Sequence, residues 1–566
     1  MISADLRRRL DAWLADDPDE RDRAELEALA RDESAEAHAE LADRLGGRLE
    51  FGTAGLRGAV AAGPNRMNRA VVRGTTAALA RWLLQRQGSS RDAGVVIGCD
   101  ARHRSDEFAD EAARVLAGAG IRVHLIPRQQ PTPLLAFAVR HLRAAAGVMI
   151  TASHNPPADN GYKLYLGDGA QIIPPADAEI ETAIGAVGPL SQVRIAPPDS
   201  PLITRHGDEV ARAYLDAICA VSPAPPGAAW LRFVYTPLHG VAAGLALRAF
   251  EQAGFPEPDV VTAQAAPDPD FPTVRFPNPE EPGALDLALA QARRSGADLV
   301  LANDPDGDRL AVAVPHPQAA SGWRTLTGDQ VGALLGAYLL GPPPATLQGP
   351  PDPSRLVVTT IVSSTMLSRI AAAAGAQYAE TLTGFKWIVR AGDSRPGARF
   401  VLGYEEALGY SVGDTVRDKD GIGAALALLG LAARARSSGE SLLDVYDALE
   451  TAHGVHLTAQ LTVATTAPVD VMARLRAAPP AELGGETVTE ITDLTGGTRE
   501  LPSADVLTYQ LPGARVVIRP SGTEPKIKAY LEVVEPVLAG HLAEARRAAA
   551  TQLAPLRDAV GAMLSD

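Results

Sequence analysis

Short apolar runs alternate with longer segments of helical spacing along most of the chain. Residues 94–100, GVVIGCD, read as a buried strand ending in polar residues, 106–119 as a helix and 121–125 as the next strand. The alternation returns at 231–235 (strand), 242–254 (helix) and 259–261 (strand), then at the strand 297–302, and a third round begins at 355–360. Strands alternating with helices predict βαβ units and mostly parallel sheets. Ahead of this, residues 1–47 are acidic and rich in Ala, Leu and Arg, and Asp22, Arg23, Glu25, Leu26, Leu29 and Ala30 follow a helical spacing. The alternation is interrupted near 197–205, 315–325 and 451–457, and a Pro-rich stretch at 341–353 predicts a long loop inside the third round. From about 455 the pattern changes to alternating β-type segments, with a helix over 537–553 near the end. The expected fold is α/β: three similar mixed α/β domains and a smaller α+β C-terminal domain, with limits at 1–205, 206–320, 321–455 and 456–566.

Length agrees with this division. At roughly 100–200 residues per domain, 566 residues predict about three to five domains. Hydrophobic residues at 46 % support a sizeable core, and a mixed-sign 21 % of charged residues excludes a disordered chain. The net charge of −15 argues against nonspecific nucleic-acid binding, whose footprint is basic. A small anionic substrate then needs a local cluster of Arg and Lys that outweighs the mean field. The two cysteines, Cys99 and Cys219, lie far apart and build neither a disulfide framework nor a CxxC metal site, so two small buried thiols in a reducing cytoplasm are expected. No apolar leader follows residues 1–9, and the longest apolar stretches, such as 331–341, fall short of the ~18 residues of a membrane span. The expected partners are therefore small molecules, with neither nucleic acid nor membrane, in the cytoplasm.

Four segments stand out chemically. TASHNPP, residues 151–157, follows the apolar run 144–150 and leads to Lys163. A Pro/Asn-shaped loop at a strand end would hold Ser153 exposed and rigid, as nucleophile or phosphate carrier, with His154 or Lys163 moving protons nearby. The plain alternative is an ST-turn or N-cap serine, and without a GxSxG elbow a hydrolase is less well supported. In NDPDGDR, residues 303–309, Asp304, Asp306 and Asp308 can converge on one hard cation such as Mg²⁺ or Ca²⁺. An EF-hand is excluded, because its sixth position holds Arg309 and its twelfth Pro315. GYEEALGY, residues 403–410, places adjacent acids between glycines, suited to sugar hydroxyls or to an ordinary strand–loop–helix connection. RPSGTEPK, residues 519–526, gathers an arginine, two hydroxyls and glycine-exposed N–H groups, which a phosphate dianion needs, although a β-turn beside a basic residue is the simpler reading.

TASHNPPADNGYK, DPDGDR, GYEEALGY and RPSGTEPK, in this order and at these separations, resemble the α-D-phosphohexomutase superfamily. The likeness is to its phosphoglucomutase/phosphomannomutase members, and among them to a branch with a GYEEALGY-type sugar loop that includes phosphopentomutase-like enzymes. It spans roughly residues 50–535, and FGTAGLRG at 51–58 resembles the N-terminal signature. The resemblance implies four domains around a central cleft and a phosphate-carrying Ser153. It implies a metal site of Ser153, Asp304, Asp306 and Asp308 for one Mg²⁺ per chain, and catalytic roles for Lys163, His154 and Arg57. Substrate contacts are implied at Arg309, Gly384, Lys386, Glu405, Lys419, Arg519, Ser521, Gly522 and Thr523. Ala407 stands where many members have Ser, two residues after the sugar-loop Glu, and Glu524 adds a negative charge beside the phosphate loop.

The implied reaction interconverts sugar 1-phosphate and sugar 6-phosphate, glucose and/or mannose, through a phosphoserine and a sugar bisphosphate that serves as intermediate and activator. The alternative is phosphopentomutase-type action on ribose or deoxyribose 1-phosphate. A metal-dependent phosphatase or serine hydrolase would not need to retain and turn its intermediate, and a noncatalytic sugar-phosphate binder would need neither Ser153 nor the three aspartates. Reorientation of the bisphosphate also implies a mobile C-terminal domain.

Overall fold

The computed structural model describes residues 2–52, 54–86, 90–319, 321–341, 352–465, 467–521, 525–538 and 540–565. The predicted loop 341–353 falls almost wholly outside them. The chain divides into two compact units, residues 1–325 with 410–430 and residues 326–409 with 431–566.

The first unit opens with helices Ala4–Asp16, Glu20–Arg31 and Ala35–Arg44, N-capped by Ser3, Asp19 and Ser34. Their apolar stripes meet in a cluster of Leu6, Leu10, Leu26, Leu41 and Leu45, against which Leu29 and Ala30 also pack, as the spacing of residues 22–30 predicts.

A six-stranded sheet follows, in the order Leu56–Ala59, Asp159–Leu166, Ala146–Ile150, Val95–Cys99, Val123–Leu125, Ile203–Arg205. Helix Ser105–Gly118 lies between Val95–Cys99 and Val123–Leu125 in sequence, and these strands are parallel, as expected of a βαβ unit. Three of the sheet's five pairings are parallel, in line with the expectation of mostly parallel sheets, and the other two make it a mixed sheet. Asp159–Leu166 runs antiparallel to both Ala146–Ile150 and Leu56–Ala59, because the 151–158 loop turns the chain straight back. Gly161 allows the close approach there: a Cβ would stand 2.6 Å from Thr151 O and 2.7 Å from Leu56 O.

The second sheet repeats the device. Its order is Trp323–Thr325, Leu310–Pro315, Leu299–Asn303, Phe233–Thr236, Asp259–Val260. Leu299–Asn303 is parallel to Phe233–Thr236, and Leu310–Pro315 returns antiparallel after the loop DPDGDR. Gly307 turns that loop with φ 71°. Two predicted interruptions, 197–205 and 315–325, each contain a short strand, Ile203–Arg205 and Trp323–Thr325, added at a sheet edge.

In the second unit, Arg355–Thr360 pairs in parallel with Gln377–Thr381 and Arg399–Glu405. The C-terminal domain is an antiparallel sheet in the order Val455–Ala464, Lys526–Glu535, Ala514–Pro520, Leu507–Leu511, Glu490–Asp493. Its last helix runs over Leu542–Ser565, later than the predicted 537–553 and straight through Pro555. Proline removes one helical hydrogen bond, but Leu556, Val560 and Leu564 beyond it are buried in the domain core, and that burial keeps the helix going. Within this unit Ile361, Val362, Val517 and Tyr530 share one buried cluster. Glu532 accepts from Ser364 Oγ (2.8 Å), Thr365 N (2.7 Å) and Arg515 Nη2 (3.2 Å), tying the C-terminal sheet to the loop after Arg355–Thr360. Among the described residues no helix is long and apolar enough to cross a membrane.

Candidate active site

The strand Ala146–Ile150 is buried along its length and leads into the loop that carries Ser153. Thr151 Oγ1 accepts the Ser153 N–H at 2.9 Å, and Ser153 sits in the left-handed region at φ 54°. Its Oγ donates to Asp304 Oδ2 at 3.0 Å and lies 3.1 Å from His154 Nδ1. The expectation that Ser153 is exposed is not met: the residue is 3 % exposed, because the DPDGDR loop packs onto it.

Asp304, Asp306 and Asp308 are buried, and one carboxylate oxygen from each lies within 4.8 Å of the others. Asp304 Oδ1 accepts the Arg309 N–H at 2.9 Å. Asp306 Oδ2 accepts from Thr132 Oγ1 and Lys163 Nζ, both at 2.7 Å. Asp308 Oδ2 lies 3.3 Å from Lys163 Nζ and 3.3 Å from Lys419 Nζ. Asp306 Oδ1 and Asp308 Oδ1 are buried and hold no hydrogen bond among the described residues. Converging carboxylates with two unused buried oxygens fit a hard divalent cation.

The electrostatics follow from burial. Burial, then Asp306 and Asp308, push the Asp304 carboxyl well above the usual range. Burial opposes ionisation of Asp306 too, but the Lys163 ammonium outweighs it and holds that carboxyl well below its usual value. Burial likewise disfavours the Lys163 charge, and Asp306 and Asp308 reverse the balance, raising its pKa. His154 is lowered well below its usual value, first by burial and then by the Arg309 and Arg57 charges, so it is neutral at pH 7. Arg57, opposite Gly161 in its strand pair, reaches Asn155 Oδ1 at 3.4 Å. Burial pulls it below its usual range. Arg309 pairs with Glu280 at 3.1 Å. Burial raises the Cys99 thiol to about 12 and the Cys219 thiol to about 11, so neither is a ready nucleophile.

Lys419 reaches this cluster because its neighbours are pinned in the same unit. Asp418 Oδ2 accepts from Tyr165 OH at 2.7 Å and Gln171 Nε2 at 2.8 Å. Asp420 Oδ1 accepts from Tyr214 OH at 2.8 Å and from the N–H groups of Ile422 (3.0 Å) and Gly423 (2.9 Å).

The second unit holds the remaining candidates. Glu405 ends the strand Arg399–Glu405, and Glu406 begins the turn after it. Ser363 Oγ and Thr360 Oγ1 approach Glu406 Oε2 at 3.3 and 3.5 Å. Burial, then Glu405 and Asp329, push the Glu406 carboxyl up to about 7. Gly384, at φ 110°, precedes the short helix Phe385–Ile388 that carries Lys386. Arg519 lies opposite Lys528 in the strand pair, its guanidinium carbon 6.0 Å from the Tyr530 ring centre. Its Nη1 donates to Pro520 O at 3.3 Å, while its buried Nε has no hydrogen-bond partner among the described residues. Ser521 N donates to Lys526 O at 2.8 Å, closing the hairpin. Gly522, Thr523 and Glu524 lie outside the described residues.

Comparison with known proteins decides the family. Four phosphoglucomutase/phosphomannomutase profiles match in order: alpha/beta/alpha domain I at 48–188, domain II at 212–318, domain III at 327–451 and the C-terminal domain at 463–549. The chain belongs to the phosphoglucomutase/phosphomannomutase family. It is a phosphosugar mutase of the α-D-phosphohexomutase superfamily, an isomerase. It is 41 % identical to a probable phosphomannomutase of Haemophilus influenzae, over 82 % of this chain and 93 % of that one. It is 38 % identical to a probable phosphoribomutase of Schizosaccharomyces pombe, over 93 % of each. The crystal structure of a putative phosphomannomutase from Thermus thermophilus superposes with a TM-score of 0.63 at 26 % identity, covering 88 % of this chain and 98 % of that one.

In this family member, sequence reasoning passed over two contributors, Thr132 and Tyr165. Thr132 binds Asp306 through both its hydroxyl and its N–H, the latter to the backbone carbonyl at 2.9 Å. The Tyr165–Asp418 pair joins residues 253 positions apart. Neither Thr132 nor Tyr165 carries a periodic or motif signal. Glu406 did carry one, as half of the adjacent acid pair in GYEEALGY.

Proposed function

We propose that this chain moves a phosphoryl group between the two ends of a sugar monophosphate, with Ser153 as carrier. The observation that supports this best is Ser153 Oγ, 3.0 Å from Asp304 within the buried carboxylate trio. In the forward step the phosphoserine P–O bond breaks as a sugar hydroxyl oxygen bonds to phosphorus, and that hydroxyl's proton ends on the freed Ser153 Oγ. The bisphosphate turns, its other phosphoryl group bonds to Ser153 Oγ, and the proton returns to the sugar oxygen left behind. Asp304, Asp306 and Asp308, with Ser153, would hold Mg²⁺, which supplies charge neutralisation at the transferring group when bound. His154, 3.1 Å from Oγ, is placed to move the Ser153 proton. In the second unit Glu405 and Glu406 would receive sugar hydroxyls, and Gly384 and Lys386 would contact the substrate. Arg519, Ser521, Gly522 and Thr523 would grip the phosphate that does not react. The domain limits 1–205, 206–320, 321–455 and 456–566 belong to the same reading.

For the sugar, we infer glucose and/or mannose 1- and 6-phosphates. A pentose phosphate is the second reading, favoured by Ala407, which supplies no hydroxyl in the acidic turn, and by a relative named a phosphoribomutase. The test has two parts. Incubation with glucose 1,6-bisphosphate should add one phosphate to the intact mass of wild type and none to Ser153→Ala. Coupled assays of glucose 1-phosphate, mannose 1-phosphate and ribose 1-phosphate on one preparation then rank the substrates. A phosphate adduct that persists in Ser153→Ala would place the carrier elsewhere.

A further inference from the structure

Three residues after the strand Val95–Cys99 the chain buries an arginine that the reaction above does not use. The Arg102 side chain is 1 % exposed. Its Nη2 donates to the carbonyls of Ser153 and Asn155, both at 2.6 Å, and its Nη1 to those of Pro156 at 2.8 Å and Asp159 at 3.1 Å. One guanidinium therefore satisfies four carbonyls of the serine loop. The arginine is itself held from three sides. Asp100 Oδ2 lies 3.5 Å from its Nε, and Asp100 Oδ1 accepts its N–H at 3.0 Å and Ser105 Oγ at 2.6 Å. The Phe271 ring centre is 5.1 Å from the guanidinium carbon, so a residue of the domain that bears the aspartates closes over it.

This arrangement answers a backbone problem. Ser153 is a non-glycine residue at φ 54°, a conformation that persists only where the surroundings impose it. The carbonyl that follows this φ is the one Arg102 Nη2 binds at 2.6 Å. Release of that carbonyl lets the peptide rotate, and the rotation carries Oγ away from Asp304. A lysine cannot replace the clamp, because a point ammonium on a flexible stem lacks the planar fork that reaches four acceptors at once.

We propose that Arg102 is a positioning residue: it holds Ser153 in its left-handed conformation and so aims Oγ at Asp304. The proposal rests on Ser153 being the phosphoryl carrier and goes beyond it by naming what fixes the carrier's geometry. Loss of the clamp should act on phosphoryl transfer and not on sugar-phosphate binding, whose proposed contacts, Glu405, Glu406 and Arg519, lie elsewhere in the chain.

The test is Arg102→Lys, with kcat and KM, the rate of Ser153 phosphorylation by glucose 1,6-bisphosphate followed by intact mass, and thermal unfolding measured together. We expect a folded enzyme whose kcat and phosphorylation rate fall by roughly 10²-fold, the order of effect of about 1 Å of misplacement, with KM nearly unchanged. A wild-type phosphorylation rate overturns the proposal, and so does a fall that matches only the loss of folded protein. Should Arg102→Lys not fold, Phe271→Leu decides. It removes the ring over the guanidinium and should lower the phosphorylation rate at constant KM, whereas a wild-type rate in Phe271→Leu overturns the clamp. Absence of any phosphate adduct on wild type would instead overturn the carrier reading, so the two failures are distinguishable.

Discussion

The ammonium of Lys163 lies 2.7 Å from Asp306 Oδ2 and 3.3 Å from Asp308 Oδ2, so the lysine is already the counter-ion of two candidate metal ligands. Among the described residues, those acids leave their Oδ1 atoms without hydrogen bonds. A cation that enters among them therefore meets prepared oxygens on one side and competes with Lys163 on the other. The raised pKa of the lysine means that it enters this contest charged.

Lys163→Met should expose that competition. In metal-free protein the variant takes the ammonium from the buried Asp306 carboxylate and leaves Asp308 with Lys419 alone, a loss of about 3–5 kcal/mol for a broken buried pair. Mg²⁺ then competes with Lys419 alone and should restore more stability than it adds to wild type. Thermal unfolding with and without Mg²⁺ measures this. An equal Mg²⁺-induced rise in Tm in both proteins contradicts the competition.

Asp306→Asn should raise the Mg²⁺ concentration needed for activity and lower the maximal rate, since the cation loses a charged ligand while Thr132 and Lys163 keep their positions. Ca²⁺ should bind the same acids and support little turnover, because its looser coordination positions a phosphoryl group poorly. A metal titration of activity checks both statements. Full activity of wild type after EDTA treatment would remove the metal from the site.

Much of this site was legible in the sequence because its chemistry sits at strand ends. An apolar run followed by Pro, Gly, Asn and Asp marks the exit of a buried strand, and Ser153, Asp304 and the Glu405–Glu406 pair all follow such runs. Direction was not legible: nothing in residues 151–158 or 304–309 announces that the next strand turns back antiparallel. Long-range partners were also hidden. Thr132 reaches Asp306 across 174 residues, and Tyr165 reaches Asp418 across 253, through ordinary side chains with no spacing rule. The last helix outruns its predicted end at 553 and passes Pro555 because the turns beyond it are buried.

Glu406 supplies a pH dependence. Its carboxyl, pushed up to about 7, faces Ser363 and Thr360 hydroxyls, with Glu405, Asp329 and Arg519 as the charged groups acting on it. Below pH 7 it holds a proton, and above pH 7 it is a carboxylate able to accept sugar hydroxyls. KM for the sugar phosphate should therefore fall as pH rises through about 7. For stability the sign is the opposite. A carboxyl raised in the folded state favours folding fully below its unfolded value, and that contribution is lost as pH rises through about 7. Glu406→Gln should flatten both trends. A KM profile that keeps its wild-type slope in Glu406→Gln assigns the titration to the substrate phosphate instead.

Arg519 carries the last prediction. Its buried Nε holds no hydrogen bond among the described residues, so an anion within its reach would meet an unused N–H. Arg519→Lys keeps the charge and loses the planar fork, and should weaken sugar-phosphate binding. Arg519→Ala should cost more, about 2–5 kcal/mol, the range for truncating one partner of a desolvated charge pair. The loss should fall on monophosphate and bisphosphate alike, because the same turn is proposed to hold both. Phosphorylation of Ser153 by glucose 1,6-bisphosphate should be slowed and not prevented, since Ser153 and the three aspartates are untouched. The measurement is KM for the sugar phosphate in wild type and both variants, with Mg²⁺ affinity determined in parallel. An unchanged KM with weakened Mg²⁺ binding would assign the turn to the metal site and overturn its role in holding phosphate.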